Sequence, residues 1–305
     1  MARLFTLTWK ISPEHHGVLI RDFLKEHHIS KSALVDIKFH GGSIKVNGDD
    51  VTVRYLLQKG DELSLAFPPE QRSEGLRSEN IPLDVVYEDE YLLVINKQAG
   101  LPSIPSRTHP TTSLSNALLH YYECNDIPST IHLVNRLDKD TSGLLIVAKN
   151  RYVHYLFSKA QQTHSIERTY HAFVEGRLAS SSGTICAPIG RKLDSIIERE
   201  VREDGQYAVT NYSVLEEFEH GTYVSLKLET GRTHQIRVHM AHLGHPLVGD
   251  DLYGGKCEYM LRQALHSYHL TFFHPILHKQ LSFVSPIPSD MEEAKKKLAQ
   301  KREYT

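Results

Sequence analysis

Between Gly17 and Phe67 the apolar positions change period once. In "IRDFLKEHH" Ile20, Phe23 and Leu24 fall on one helical face, and Ser30 stands as an N-cap ahead of "SKSALVDIKFH", so the spacing predicts two short helices. The period then drops to two. "GGSIKVNGDDVTV" alternates Ile44 and Val46 with polar neighbours, turns at Asn47-Gly48 and resumes at Val51 and Val53, and "GDELSLAF" adds a further strand. These elements make a small αα-β unit over residues 13–67. The polar run "PPEQRSEGLRSEN", headed by Pro68-Pro69, reads as a linker over residues 68–80.

A second unit over residues 81–290 opens with "LDVVYEDEYLLVINKQAGLP", a strand pair around the acidic turn Glu88-Asp89-Glu90. "TTSLSNALLHYY" and "RYVHYLFSKAQQT" carry helical spacing. In "IHLVNRLDKDTSGLLIVAKN" two aliphatic runs flank a polar turn, and Asp138 lies at the end of an alternating strand. Tyr170, Ala172 and Val174 of "ERTYHAFVEG" share one strand face, which directs Tyr170 inward. Strands and helices do not alternate regularly, so the pattern predicts an α+β fold: a mainly antiparallel or mixed sheet flanked by helices, not a doubly wound parallel sheet. The end, "DMEEAKKKLAQKREYT", gives an amphipathic or frayed helix and a charged tail over residues 291–305, to which no function attaches. There is no internal repeat.

Composition narrows this picture. With 40% hydrophobic residues, 305 residues can fill a sizeable core. The net charge of −2 gives no global polyanion signal, so any nucleic-acid contact must be local. Three well-separated cysteines, Cys124, Cys186 and Cys257, fit a reducing compartment and a cytoplasmic protein. No apolar run approaches membrane-spanning length. Neither G-x-x-x-x-G-K-[ST] nor G-x-G-x-x-G occurs, so no nucleotide cofactor is expected.

Three stretches could carry chemistry. Asp138, between Arg136 and Lys139, is either a turn stabiliser or a carboxylate kept ionised by neighbouring cations. In "ETGRTHQIRVHMAHLGHPLVGDDLYG", Arg232 and Arg237 occur with His234, His239, His242 and His245. Their spacing matches neither H-E-x-x-H nor a Cys/His site, so no metal is expected, and the cluster reads as packing or as a cationic wall for an anionic substrate such as a phosphate chain. Tyr170 is either a core tyrosine or a stacking face for a base, in a locally basic region with Lys149, Arg151, Lys159 and Arg168.

Taken in order, "EDEYLLVINKQAGLP", "NRLDKDTSGLLIVAK", "ERTYHAFVEG", "TGRTHQIRVHMAHLGHPLVGDDLYG" and "RQALHSYHLTFFHP" resemble the RluA-type pseudouridine synthases, and the N-terminal unit resembles the S-four-type RNA-binding domain often fused to them. The resemblance implies an RNA pseudouridine synthase acting on a flipped-out uridine without any cofactor, with RNA as partner; a monomer is expected. Asp138 would be the catalytic aspartate, Arg136 the residue that displaces or replaces the target base, Tyr170 the tyrosine that packs on the uracil and serves in proton removal, and Arg237 the partner of the carboxylate. The extra N-terminal unit points to ribosomal RNA. Transfer RNA, a non-catalytic ribosome-assembly role and a His-rich metallohydrolase are the alternatives. The sequence departs from the family pattern at Gln98, Asn135 and Arg168, where Pro, His and Lys are frequent.

Overall fold

The computed structural model describes residues 4–163 and 165–300. The N-terminal unit runs β1 (Thr6–Lys10), α1 (Ile20–Glu26), α2 (Lys31–Phe39), β2 (Ser43–Val46), β3 (Asp49–Asp50) and β4 (Glu62–Ala66). Ser30 caps α2 by accepting the Ala33 N–H at 3.1 Å. Asn47 and Gly48 both take positive φ, 52° and 92°, which closes a two-residue hairpin between β2 and β3. The strands order as β1-β4-β2-β3. Two details differ from the periodicity: β1 lies ahead of residue 13, in a stretch whose apolar pattern is short and mixed, and regular pairing stops at Asp50 before reaching Val53.

Residues 68–80 have no regular secondary structure, yet they are not a free tether. Glu70 meets His132 at 2.5 Å and the Arg151 N–H at 2.6 Å, Arg72 pairs with Glu123 at 2.6 Å, and the Asn116 side chain donates to the Arg77 carbonyl at 2.7 Å. The polar side chains that suggest solvation in the sequence are bonded to residues far along the chain.

The second unit comprises β5 (Val85–Glu88), β6 (Leu92–Lys97), α3 (Leu114–Cys124), β7 (His132–Leu133), β8 (Ser142–Ala148), α4 (Arg151–Gln162), β9 (Ile166–Glu175), β10 (Ser182–Cys186), β11 (Ile189–Arg191), β12 (Arg199–Val201), β13 (Val209–Glu217), β14 (Gly221–Leu228), α5 (Gln235–His242), β15 (Leu265–Phe273), β16 (Gln280–Val284) and α6 (Ser289–Ala299). Its main sheet runs β10-β13-β14-β9-β15-β8-β6-β5, with β16 on β15 and β7 on β8. Within this sheet β15 and β8 are parallel and the other described pairs antiparallel, which is the mixed α+β architecture the pattern predicts. Leu93 and Ile95 pack on one face of the sheet with Leu145, Val147 and Tyr170. Leu92 and Val94 pack on the other with Leu144, Ile146 and Phe272, so residues 92–95 of β6 and 144–148 of β8 are continuous apolar runs rather than alternating.

The N-terminal unit joins this second face. The Phe67 and Tyr152 rings lie 5.6 Å apart, and the Tyr152 hydroxyl donates to the His27 carbonyl at 2.7 Å. At the other end, α6 buries Met291, Ala294 and Leu298 against Phe173, Phe218, Val248 and Met260. The helix is amphipathic as its spacing suggests, and it is part of the second unit's core; residues 301–305 of the expected tail lie outside the described residues. No described helix is long and apolar enough to cross a membrane.

Candidate active site

Three strands meet where the sequence places its candidates. Ser267 of β15 stands opposite Gly143 of β8 on one side and Tyr170 of β9 on the other. Gly143 adopts φ +109°, and any Cβ there would collide with the Ser267 backbone, so only glycine lets β8 and β15 close up at this row. The loop carrying Asp138 enters β8 immediately before it. The strand expected to end at Asp138 is cut short at Leu133, because the Asn135 side chain takes the Ile146 N–H at 3.0 Å in place of a backbone carbonyl. Asp138 therefore sits on a loop, and its carbonyl accepts the Thr141 N–H at 3.2 Å.

That loop is tied down residue by residue. Ser103 Oγ donates to the Leu137 carbonyl at 2.5 Å and accepts the Leu137 N–H at 3.1 Å. Buried Lys97 donates to the carbonyls of Gln98 and Leu101, both at 2.9 Å, and of Lys139 at 3.0 Å. Burial pushes the Lys97 ammonium down to about 7, against the pull of Asp140 and Asp138. Arg262 donates to the Asp140 carbonyl at 2.8 Å, and Gln263 to Thr141 Oγ1 at 3.3 Å. The Asp138 side chain keeps 28% exposure while its loop is anchored on all sides.

Arg237, on α5, faces Asp138 with Nη1 at 3.4 Å from Oδ2. Its stronger bonds go to Asp250, which takes Nε and Nη2 at 2.7 Å each in a bidentate pair. Burial opposes the charge on Arg237, and the Asp250 carboxylate outweighs it and raises the guanidinium pKa. The Tyr253 ring lies 4.9 Å from the guanidinium carbon, a cation–π contact. His234 Nε2 stands 3.8 Å from Asp138 Oδ1. Tyr170 is buried, and that burial raises its phenol pKa, so the resting hydroxyl is protonated.

Of the four residues singled out in the sequence, the fold brings together Asp138, Tyr170 and Arg237. Arg136 is exposed, with no hydrogen bond or ion pair among the described residues. It does not compensate Asp138, and neither does Lys139; the cation facing the carboxylate comes from α5. Two of the other histidines of the cluster are structural: His239 joins Thr210 and the Ala187 carbonyl at 2.9 Å each, and His245 meets the Glu175 carbonyl at 2.8 Å, while His242 is exposed. Arg232 donates to the Tyr207 carbonyl at 3.0 Å. Among the described residues no group of three or more His, Cys, Asp or Glu could hold a metal ion.

The chain has known counterparts. A family model described as RNA pseudouridylate synthase matches residues 91–242, which hold Asp138, Tyr170, His234 and Arg237. The RNA pseudouridine synthase YjbO of Bacillus subtilis is 52% identical over 274 residues, 90% of this chain and 97% of that protein. The chain belongs to the RNA pseudouridine synthase family. A further relative of the synthase is the ribosomal large subunit pseudouridine synthase D of Pseudomonas aeruginosa, 38% identical over 94% of this chain and 89% of its own. Human RNA pseudouridylate synthase domain containing 1 shares the synthase's fold with a TM-score of 0.57 at 27% identity, over 68% of this chain and 85% of that one.

Nothing in the sequence marks Asp250, Tyr253, Lys97, Ser103 or Arg262 for a place in the site. Asp250 and Tyr253 do stand in the synthase's quoted block "GHPLVGDDLYG", where an acid thirteen residues beyond an arginine signals nothing until the chain folds back.

Proposed function

We propose that Asp138 is the carboxylate through which this synthase converts specific uridines in RNA, ribosomal RNA foremost, to pseudouridine. The reaction breaks the bond from ribose C1′ to N1, turns the uracil, and joins C1′ to C5; the C5 proton leaves and N1 gains one. Atoms and electrons balance within the nucleotide, so no cofactor is consumed. A carboxylate beside C1′ can attack the sugar, offset its positive charge or take a sugar proton. The observation that carries this reading is the asymmetry of Asp138: one oxygen faces a guanidinium already fixed by Asp250, while the side chain stays open to the outside on an immobilised loop.

The target uridine has to leave its stack, at a cost of a few kcal/mol. Unpaired and exposed, Arg136 is free to occupy the gap. Tyr170 offers the face on which the detached uracil turns, worth roughly 1–3 kcal/mol of stacking. The N-terminal unit, S-four-like in sequence, is read as a second RNA contact, and the exposed free cysteines Cys124, Cys186 and Cys257 support a reducing, cytoplasmic setting. Ribosomal RNA is favoured by the name of the Pseudomonas relative.

Asp138→Asn decides the central claim. It is expected to bind RNA as the wild type does and to lose turnover by roughly a thousandfold or more. Tritium release from RNA labelled at uridine C5 is the readout, and retained release rejects the assignment. Pseudouridine maps of cellular RNA with and without the protein settle ribosomal against transfer RNA.

A further inference from the structure

The Asp138 carboxylate has two neighbours of different kinds. Oδ2 faces the Arg237 guanidinium, and Oδ1 faces the imidazole of His234. His234 precedes α5 with φ 56° and ψ 20°, a left-handed conformation uncommon for a non-glycine residue. Its side chain is nearly enclosed, and its other ring nitrogen, Nδ1, lies 2.8 Å from the Tyr253 hydroxyl.

Which nitrogen carries the proton follows from the Tyr253 hydroxyl. The Arg199 backbone N–H points at that oxygen from 3.0 Å and can only donate, so the hydroxyl accepts there. A hydroxyl oxygen can accept twice, so the second bond is decided by the phenol proton: no other acceptor meets it among the described residues, and directing it at His234 Nδ1 is the arrangement that leaves no donor without an acceptor. Nδ1 is therefore unprotonated, and the ring's single proton sits on Nε2, facing Asp138 Oδ1 across 3.8 Å. At that distance the bond is not yet made; a small shift closes it.

We propose that His234 is a positioning residue for Asp138, an uncharged N–H donor whose tautomer is fixed by Tyr253 and which engages Oδ1 as the carboxylate moves onto the ribose. The inference rests on the reading of Asp138 given above. A neutral donor suits this oxygen better than a second cation. It orients Oδ1 without the tight ion pair that would hold the oxygen back, and with Nε2 already protonated it cannot drain a proton that Asp138 takes from the sugar. Arg237 meanwhile holds Oδ2.

The surroundings keep the ring neutral. Burial lowers the His234 pKa from its ordinary value; Asp138 and Asp250 pull it up, and Arg237 and Arg199 push it down. These four charged groups, with Tyr253, are what face the ring. Protonating Nδ1 would take away the acceptor of the Tyr253 O–H and turn the ring into a cation paired with Oδ1. Activity should accordingly fall on the acid side as His234 charges.

The test is a pH profile of single-turnover tritium release, using C5-tritiated total RNA from cells lacking the protein. His234→Asn tolerates the left-handed backbone but is too short to reach Oδ1, and is expected to slow release by roughly tenfold or more at neutral pH with the half-saturating RNA concentration unchanged. His234→Gln, whose amide reaches about as far as Nε2 and does not titrate, should recover most of that loss and move the acid limb to lower pH. Tyr253→Phe keeps the ring under Arg237 but removes the hydroxyl that opposes protonation of Nδ1, so its acid limb should move to higher pH. This variant leaves residue 234 intact and so stands even if substitutions there unfold the protein. Full rate in His234→Asn, or wild-type acid limbs in His234→Gln and Tyr253→Phe, overturns the inference. If Asp138→Asn is inactive in the same assay, that result overturns this inference alone. An active Asp138→Asn overturns the reading beneath it and this one together.

Discussion

Tyr170 is a core residue in the structure and, in the proposed reaction, a chemical one as well. Its neighbours Ala172 and Val174 make it a core residue by pattern, and the structure buries it with them. Burial also keeps its hydroxyl protonated, so in the proposed reaction it would act as a phenol and not as a phenolate. Tyr170→Phe keeps the stacking face and removes the group proposed to help remove the C5 proton. The expected outcome is near-normal RNA affinity with release slowed by roughly a hundredfold, and an unaffected rate would confine the hydroxyl to structure. At this scale much of the candidate site was legible: Asp138, Tyr170 and Arg237 stand in long motifs. Asp250 was not, because a carboxylate in a Gly-Asp-Asp-Leu turn looks solvated until its bidentate pair with Arg237 is seen to be buried. Arg136 misleads in the opposite sense, since adjacency to Asp138 along the chain does not make it a partner in space.

The elements that hold these residues differ in how plainly their sequences announce them. The hairpin at Asn47-Gly48, the capped helix after Ser30 and the strand pair around Glu88-Asp89-Glu90 follow from turn and cap chemistry, and all three form where expected. Helix α5 gives a weak pattern for a physical reason. Gln235 through Met240 are all buried, and the polar ones among them are satisfied by specific bonds, as where Gln235 meets the Val209 carbonyl at 2.9 Å. A helix enclosed on every side carries no stripe. The close approach of β8 to β15 is likewise invisible until the strands are paired, and it rests on one residue. Gly143→Ala combines a disfavoured φ with a collision against the Ser267 backbone. Destabilisation of at least about 2 kcal/mol is expected, measured by denaturant unfolding, together with reduced turnover because Asp138 and Tyr170 flank this row. A variant as stable as the wild type would show that the two strands have room to part.

At the scale of the whole molecule, the sheet is a partition: the candidate site, with Tyr170 and the loop of Asp138, lies on one face, and the other face is given to support. Helix α6 is the clearest case. Its sequence reads as an amphipathic or frayed helix with a solvated charge run, and every third or fourth residue, Met291, Ala294 and Leu298, is fully buried. They pack against Phe173, whose side chain points to the opposite face of β9 from Tyr170. Asp290 at the start of α6 also takes Arg262 at 2.7 and 2.9 Å, and Arg262 in turn holds the Asp140 carbonyl two residues beyond Asp138. The helix thus serves the site by two routes, as packing behind the sheet and as an anchor for Arg262, and these can be separated. Leu298→Ala removes packing alone, leaving the Asp290–Arg262 bonds intact. The loss of a fully buried leucine costs about 2–5 kcal/mol, which should lower the melting temperature by several degrees while turnover well below that temperature stays near wild type. A truncation before Ser289 removes both, and should depress turnover even where the protein is folded, because Arg262 loses the carboxylate that orients it. An unchanged melting temperature in Leu298→Ala would return the C-terminal segment to the solvated role its composition suggests.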